Sequence, residues 1–291
     1  MSNFLQLLFN GLGIGAIYAL VSLGFVLLIR AASVVNFGQG EFSMLGAYLL
    51  VVFFNIFGIN YYVSMALSIV IMAGFGVIFA YTTYWPLRFR GGLPVIISTI
   101  GASIFLENLV LVLYGPSSVQ IDGLFDADGI QIGDVFLATQ YLSIIVIATI
   151  LVVLQYLVFE KTLLGKKLQA TSQDKEMASL LGIPVVFMIL ITFAYSSAMG
   201  GLAGMLVAPL LFVSVNMAGI IALKAFAANI IGGYGSIPGA ILGGLALGVI
   251  ETMGASYISV PYKDAFAFAM LLLFLMVRPQ GLFGEKISEK A

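Results

Sequence analysis

Charge is distributed so that long stretches of the chain hold none. Residues 1–29 are charge-free, and so are residues 42–87, a run of 46. Further apolar runs cover 91–121, interrupted only by Glu107, then 135–159, 177–223, 225–250, and a short last stretch, 264–277, that opens on Asp264. A charge near the centre of a bilayer costs at least ~2.5–3.5 kcal/mol, and a spanning helix needs about 20 apolar residues. The pattern therefore predicts an all-α polytopic transmembrane bundle. Spans fall at 5–29, twice within 42–87 with a break at Gly58-Ile59-Asn60, and near 94–114, 135–159 and 188–212. Residues 216–255 read as one broken helix or two short ones, and 264–277 as a short final span, so the count is eight or nine. Broken or re-entrant helices are expected near 34–42 and 232–239. No Lys or Arg precedes the first apolar run, so that run reads as a retained span and not a cleaved signal peptide.

Composition supports the pattern. The chain is 62% hydrophobic and 9% charged, against roughly 25% charged for a soluble protein. An ordinary soluble enzyme and a disordered chain are both excluded. The net charge of −1 leaves no basic field for nucleic acid. With no Cys and no His, disulfides, a Ser-His-Asp triad and a His-based zinc site are impossible, and no catalytic or metal residue is expected.

Loop charge sets the orientation. With nine spans and the N-terminus outside, Arg30, Arg88, Arg90, Lys161, Lys166, Lys167, Lys175, Arg278, Lys286 and Lys290 lie inside, ten of the twelve basic residues. Only Lys224 and Lys263 fall outside; eight spans would split them eight to four. The positive-inside rule favours nine. The loop 115–140 carries Asp122, Asp126, Asp128 and Asp134 without a basic residue, which suits the outer side. The prediction is one transmembrane domain over 1–291, with an outer loop at 115–140, an inner loop at 160–184 and no short-period repeat.

Four features carry candidate chemistry. The inner loop contains a helix of about nine residues, Gln173–Gly182, capped by Thr171 or Ser172, with Asp174 and Glu176 in its first turn beside Lys175. Gly182 and Pro184 end it, and Met177, Ala178 and Leu181 share a face. Too short to cross a bilayer, it is either a connector or a surface that docks into a cytosolic ATPase. The ATPase is a separate chain, since Gly165-Lys166 is followed by Lys167 where a P-loop requires Ser or Thr. The second feature, Asn36-Phe37-Gly38-Gln39-Gly40-Glu41, reads as a pathway element or as a capping turn. The third is Gly232-Gly233-Tyr234-Gly235-Ser236-Ile237-Pro238-Gly239, a hinge or pathway break. Gly235, Gly239 and Gly243, Gly244 and Gly248, and Gly11 and Gly15 recur at the four-residue spacing of close helix packing. The fourth is the set of intramembrane charges. Glu107 is the deepest, while Lys224 and Glu251 sit near helix ends and can snorkel.

The same segments resemble the permease subunits of branched-chain amino acid ABC importers, and the shorter of the two related permeases in particular. The matching residues are Asn10-Gly11 through Leu20, Val35–Glu41 with Leu45–Tyr48, Ala170–Ile183, Lys224–Ala228, Gly232–Gly239, Tyr262-Lys263-Asp264 and Arg278–Gly284. They run in order over nearly the whole chain. The family often carries His where this chain has Gly38 or Gln39. The resemblance implies a second related permease or a copy of this one, two ABC ATP-binding subunits holding ATP and magnesium, and a periplasmic or extracellular substrate-binding protein. It also implies that residues 171–182 form the coupling helix, that this chain carries no cofactor, and that it sits in the cytoplasmic membrane. Close relatives carry urea or short amides and distant ones ribose. A stand-alone secondary transporter would instead need paired ion-coupling charges, for which Glu107 is thin support. Against a membrane enzyme stand the absence of His and Cys and of a close carboxylate pair within one span of this chain.

Overall fold

The computed structural model describes residues 2–123, 129–132 and 135–283. Asp126, Asp128, Asp134, Lys286 and Lys290, used above to orient the chain, lie outside the described residues, as does Gly284. Among the described residues the chain forms eleven α-helices. They are α1 (Ser2–Ala32), α2 (Gln39–Val51), α3 (Tyr61–Phe79), α4 (Gly92–Tyr114), α5 (Thr139–Lys161), α6 (Leu163–Gln173), α7 (Lys175–Leu180), α8 (Val185–Leu211), α9 (Met217–Gly232), α10 (Ile237–Tyr257) and α11 (Lys263–Val277). A π-helical turn, Val52–Ile56, extends α2, and Ala80–Tyr84 and Trp85–Leu87 extend α3. Within the loop 115–140, Ile130–Ile132 and Val135–Leu137 pair as an antiparallel hairpin.

Seven helices (α1, extended α2, extended α3, α4, α5, α8 and α10) are long and apolar enough to cross a membrane. The stretch 216–255 resolves into two helices. At 1.5 Å per residue, α9 with 16 residues reaches about 24 Å and α11 with 15 about 22 Å, less than the ~30 Å hydrocarbon core. Counting charge-free runs admits these two as short spans because it measures polarity and not helix length.

The bundle is centred on α1, whose interior stretch from Ile14 to Leu28 is almost wholly buried. Helices that are apolar on all sides belong in such a position. Close approach depends on glycine. A Cβ on Gly248 would lie 2.3 Å from the Gly15 nitrogen, and one on Gly244 would lie 2.6 Å from the Ala19 nitrogen. These glycines seat α10 against α1. The opposite face of α10 presents Gly239 and Gly243 to Gly232 and Ala228 of α9. Gly46 and Gly204 bring α2 and α8 together in the same way. Gly235 belongs to the turn between α9 and α10 and not to a packing face.

The second part of the chain repeats the order of the first. A long helix (α1, α8) ends in a non-glycine residue of positive φ, Ser33 or Phe212, both at 59°. A short link ending in Val-Asn follows, Val35-Asn36 or Val215-Asn216, and then a shorter helix (α2, α9) and two more. Leu27 and Ala31 lie with Met188, while Ser196 reaches Gly24, so α1 and α8 run antiparallel and the two sets are inverted. Each set also lends its third helix to the other: α10 packs on α1, and α3 packs on α8 through Gly76–Phe193 and Met72–Ser197.

Replacing Gly248 with Val should cost about 1–3 kcal/mol through overpacking at the α1–α10 contact. Gly74→Val is the control, since nothing lies within 4 Å of a Cβ there. Size-exclusion profiles of heated, fluorescently tagged protein check this: Gly248→Val should lose its monodisperse peak at a lower temperature, and Gly74→Val should match the unsubstituted chain.

Candidate functional site

The first break, residues 33–38, starts at the exposed Ser33 and runs into the protein interior. Asn36 is buried, and its Oδ1 accepts the Gly38 N–H at 2.9 Å. The Phe37 N–H donates to Thr99 Oγ1 of α4 at 3.2 Å. Gln39, the first residue of α2, is completely enclosed, and its amide donates to Ser196 O near the midpoint of α8 at 3.3 Å. The Ser196 hydroxyl shares its proton between Gln39 Oε1 at 2.8 Å and Gly24 O at 3.1 Å. A Cβ on Gly40 would lie 2.3 Å from Ala218 O, in the first turn of α9. The two shorter helices therefore start side by side, well inside the bundle. Glu41 is buried and accepts a hydrogen bond from Ser103 of α4 at 2.7 Å. Glu107 lies one turn beyond Ser103, half-buried. Glu41 is thus held against the edge of α4 that carries Glu107, while Asn36 bonds within the break and Gln39 bonds to α8. Ser103 and Ser196 had no sequence signal, since serine in an apolar run is ordinarily tolerated without a partner.

The second break, residues 233–236, is a tight turn. Gly233 and Gly235 have φ of 113° and 80°, values that side-chain-bearing residues rarely adopt. Ser236 Oγ caps α10 by accepting the Gly239 N–H, and Pro238 occupies the first turn. Arg30 Nε donates to Gly235 O at 2.8 Å while its guanidinium approaches Glu160 at 3.6 Å. The Leu282 and Phe283 N–H groups donate to Ile231 O and Gly232 O, so the C-terminal segment is stitched to the same corner. Glycine here permits both the turn and the 1.9 Å that a Gly232 Cβ would leave to Gly239 O.

The helix expected over Gln173–Gly182 is shorter, Lys175–Leu180. Its cap is Asp174, whose Oδ1 accepts the Glu176 and Met177 N–H groups at 2.9 and 3.0 Å. Thr171 and Ser172 belong to α6, where their hydroxyls bond back to Lys167 O and Gln169 O, and Gln173 ends that helix. At the other end, Ile183 N–H to Ala178 O and Gly182 N–H to Ser179 O, with Gly182 at φ 77°, close a Schellman motif. Met177, Ala178 and Leu181 do not share a face: Ala178 is buried, whereas Met177, Leu180 and Leu181 are 58%, 82% and 78% exposed. Lys175 anchors the helix, its Nζ donating to Ala32 O at 3.1 Å and to Tyr84 Oη at 3.3 Å.

Lys224 and Glu251 do not snorkel. Both are enclosed and 2.7 Å apart. Asp264 reaches Lys224 at 2.6 Å and Lys263 reaches Glu251 at 3.2 Å. The result is a balanced tetrad joining α9, α10 and the start of α11. Reading each helix alone misses it because two members come from the beginning of the next one.

Seven helices long and apolar enough to cross a membrane define a multi-pass membrane protein. Residues 7–275 match the family model described as branched-chain amino acid transport system / permease component, and the chain belongs to this family. It is 36% identical to the high-affinity branched-chain amino acid transport system permease protein LivH of Salmonella typhimurium, over 99% of this chain and 97% of LivH. It is 33% identical to BraD of Pseudomonas aeruginosa, a permease protein of the same description, over 99% of this chain and 98% of BraD. LivM of Salmonella typhimurium is 24% identical over 91% of this chain but 67% of its own length, so the chain corresponds to the shorter permease, LivH.

Removing Lys224 or Glu251 leaves the remaining three members with one uncompensated charge, at a cost of up to about 3–5 kcal/mol where that charge is buried. Lys224→Met and Glu251→Met should each lower the melting temperature in detergent. The double variant should recover much of the loss, leaving Lys263 and Asp264 to pair near the surface. Additive losses would show that the tetrad is not a unit.

Proposed function

We propose that this chain forms half of the membrane pathway of an ATP-driven importer carrying branched-chain amino acids inward across the cytoplasmic membrane. Similarity to LivH and BraD over almost the full length supports the cargo. Similarity to LivM supports a second, longer permease as partner. Two ABC ATP-binding subunits supply ATP hydrolysis, and a substrate-binding protein delivers cargo from outside.

The observation that carries the coupling role is the double character of α7. One side exposes Met177, Leu180 and Leu181, an apolar knob without a partner among the described residues. The other side is tied through Lys175 to the last turn of α1 and to Tyr84 below α3. The lysine sits at the negative end of the α1 dipole, which strengthens its hold. A push on α7 therefore reaches Ala32, beside the positive-φ residue Ser33 that opens the first break. Because α3 rests on α8, displacement at Tyr84 also shifts the helix that holds Gln39. Alternating access follows from the interior starts of α2 and α9 moving against their long neighbours.

In this reading the N-terminus is outside and the C-terminus inside, with nine crossings counting the shorter α9 and α11. Arg30, Arg88, Arg90, Lys175 and Arg278 lie on the ATPase side. Asn36 to Glu41 form the pathway break, and the Gly233–Ser236 corner acts as the hinge, with Gly232, Pro238 and Gly239 at its edges.

The test of the class is a pull-down from gently solubilised native membranes. Two P-loop ATPases and a longer permease should accompany the tagged chain. A chain that purifies alone and moves substrate in ATP-free vesicles would overturn the reading. For α7, Leu180→Asp with Leu181→Asp should release the ATPases from the complex. Lys175→Met should retain them and their ATP hydrolysis but lower uptake about tenfold, the worth of a hydrogen bond to a charged group. Unchanged uptake would remove the tether from the mechanism.

A further inference from the structure

Two sets of charges reach into the apolar interior, and they differ in one respect. Glu251 and Asp264 are compensated by Lys224 and Lys263. Glu41 and Glu107 are not: among the described residues neither pairs with a Lys or Arg. Glu41 is 4% exposed, and only its Oε1 is engaged, by Ser103. Its Oε2 is buried with no partner. Glu107 sits one helical turn past Ser103, within electrostatic reach of Glu41. Two carboxyl groups on α2 and α4, one with a buried oxygen that has no partner and neither paired with Lys or Arg among the described residues, offer acceptors to a cation that enters between them.

The donor set limits which cation fits. Two carboxylates and a hydroxyl fall short of the six or more oxygens of a calcium site and of the octahedral shell of magnesium. Among the described residues no cluster of three metal-ligating acidic side chains occurs. A primary ammonium carries three N–H donors and a single positive charge. It can bond Glu41 Oε2 and the Glu107 carboxylate and keep one donor for a backbone carbonyl or the Ser103 oxygen. We propose that Glu41 and Glu107 form a station that receives the α-ammonium group of the cargo as it passes the α2 break, with Ser103 holding Glu41 in position. The assignment rests on the amino acid cargo proposed above. It gives a mostly apolar path a means of carrying a zwitterion without stripping its positive end of partners.

The test uses the complete importer in proteoliposomes, with radiolabelled leucine delivered by the binding protein and ATP hydrolysis measured in parallel. Glu41→Gln keeps the shape and the acceptor for Ser103 and removes only the charge. It should lower leucine moved per ATP hydrolysed about tenfold or more, the value of a hydrogen bond to a charged group. Glu41→Asp, which restores the charge, should recover part of that ratio. A Glu41→Gln importer with the unsubstituted ratio would overturn the station, since a purely structural glutamate is replaced by glutamine without loss of that bond. Uptake that needs sodium in the unsubstituted importer and loses only that need in Glu41→Gln would also overturn it, by assigning the site to a metal cation. Should Glu41→Gln fail to assemble, Glu107→Gln on the half-buried partner decides by the same ratio. An unsubstituted importer that hydrolyses ATP yet moves no amino acid overturns the cargo reading and not the geometry of the pair.

Discussion

A helix that stops inside an apolar bundle leaves amides and carbonyls that no solvent can satisfy, so other parts of the chain must satisfy them. The architecture depends on this constraint at residues 33–38. Asn36 folds back on Gly38, Thr99 accepts from Phe37, and Ser196 secures the side chain of Gln39. Those bonds require α4 and α8 to flank the break. The flanking positions in turn require the glycine contacts that let α2 lie on α8. The polar groups are few, and each is tied to one location.

Much of this was legible along the chain. Charge-free runs found every long helix because a charge in the hydrocarbon region costs more than any local propensity offers. The glycine spacings at 11 and 15, and at 239, 243, 244 and 248, marked faces that do meet. Features that need two distant segments were not legible. Glu41 and Ser103 are brought together only by the placement of α4, and Lys224 and Glu251 looked like residues reaching for the surface until α11 supplied Asp264 and Lys263. The cap of α7 differs from Thr171 or Ser172 for a local reason: both return their hydroxyls to their own helix, and Asp174 accepts from the next one. The relation between the two sets of helices left no more than a shared Val-Asn in the sequence, because it lies in backbone geometry and not in side chains.

Rigidity and mobility are divided accordingly. Backbone-to-backbone contacts at glycine lock α1 to α10 and α2 to α8, and such pairs move as solid bodies. By contrast α4 presents Leu93, Ile97, Ile104, Phe105, Val112 and Leu113 outward and touches the bundle chiefly along one edge. A surface of that kind suits lipid or a second chain. The polar edge it turns inward, Thr99, Ser103 and Glu107, is the part that lies against the break. Motion between the locked pairs and α4 would alter the break without disturbing the glycine contacts.

The exchange of third helices between the inverted sets has a consequence for how the protein is made. While the ribosome is still producing the middle of the chain, α3 has left the translocation machinery without α8, and its Gly76 and Met72 face lipid or a chaperone instead of their final neighbours. Likewise α1 waits for α10 before its glycine face is covered. Neither set can mature by itself, so assembly is postponed until nearly the whole chain is in the membrane. A nascent chain stalled before α10 would expose small-residue stripes and unpaired polar groups, the features by which membrane quality control distinguishes an unfinished protein from a finished one.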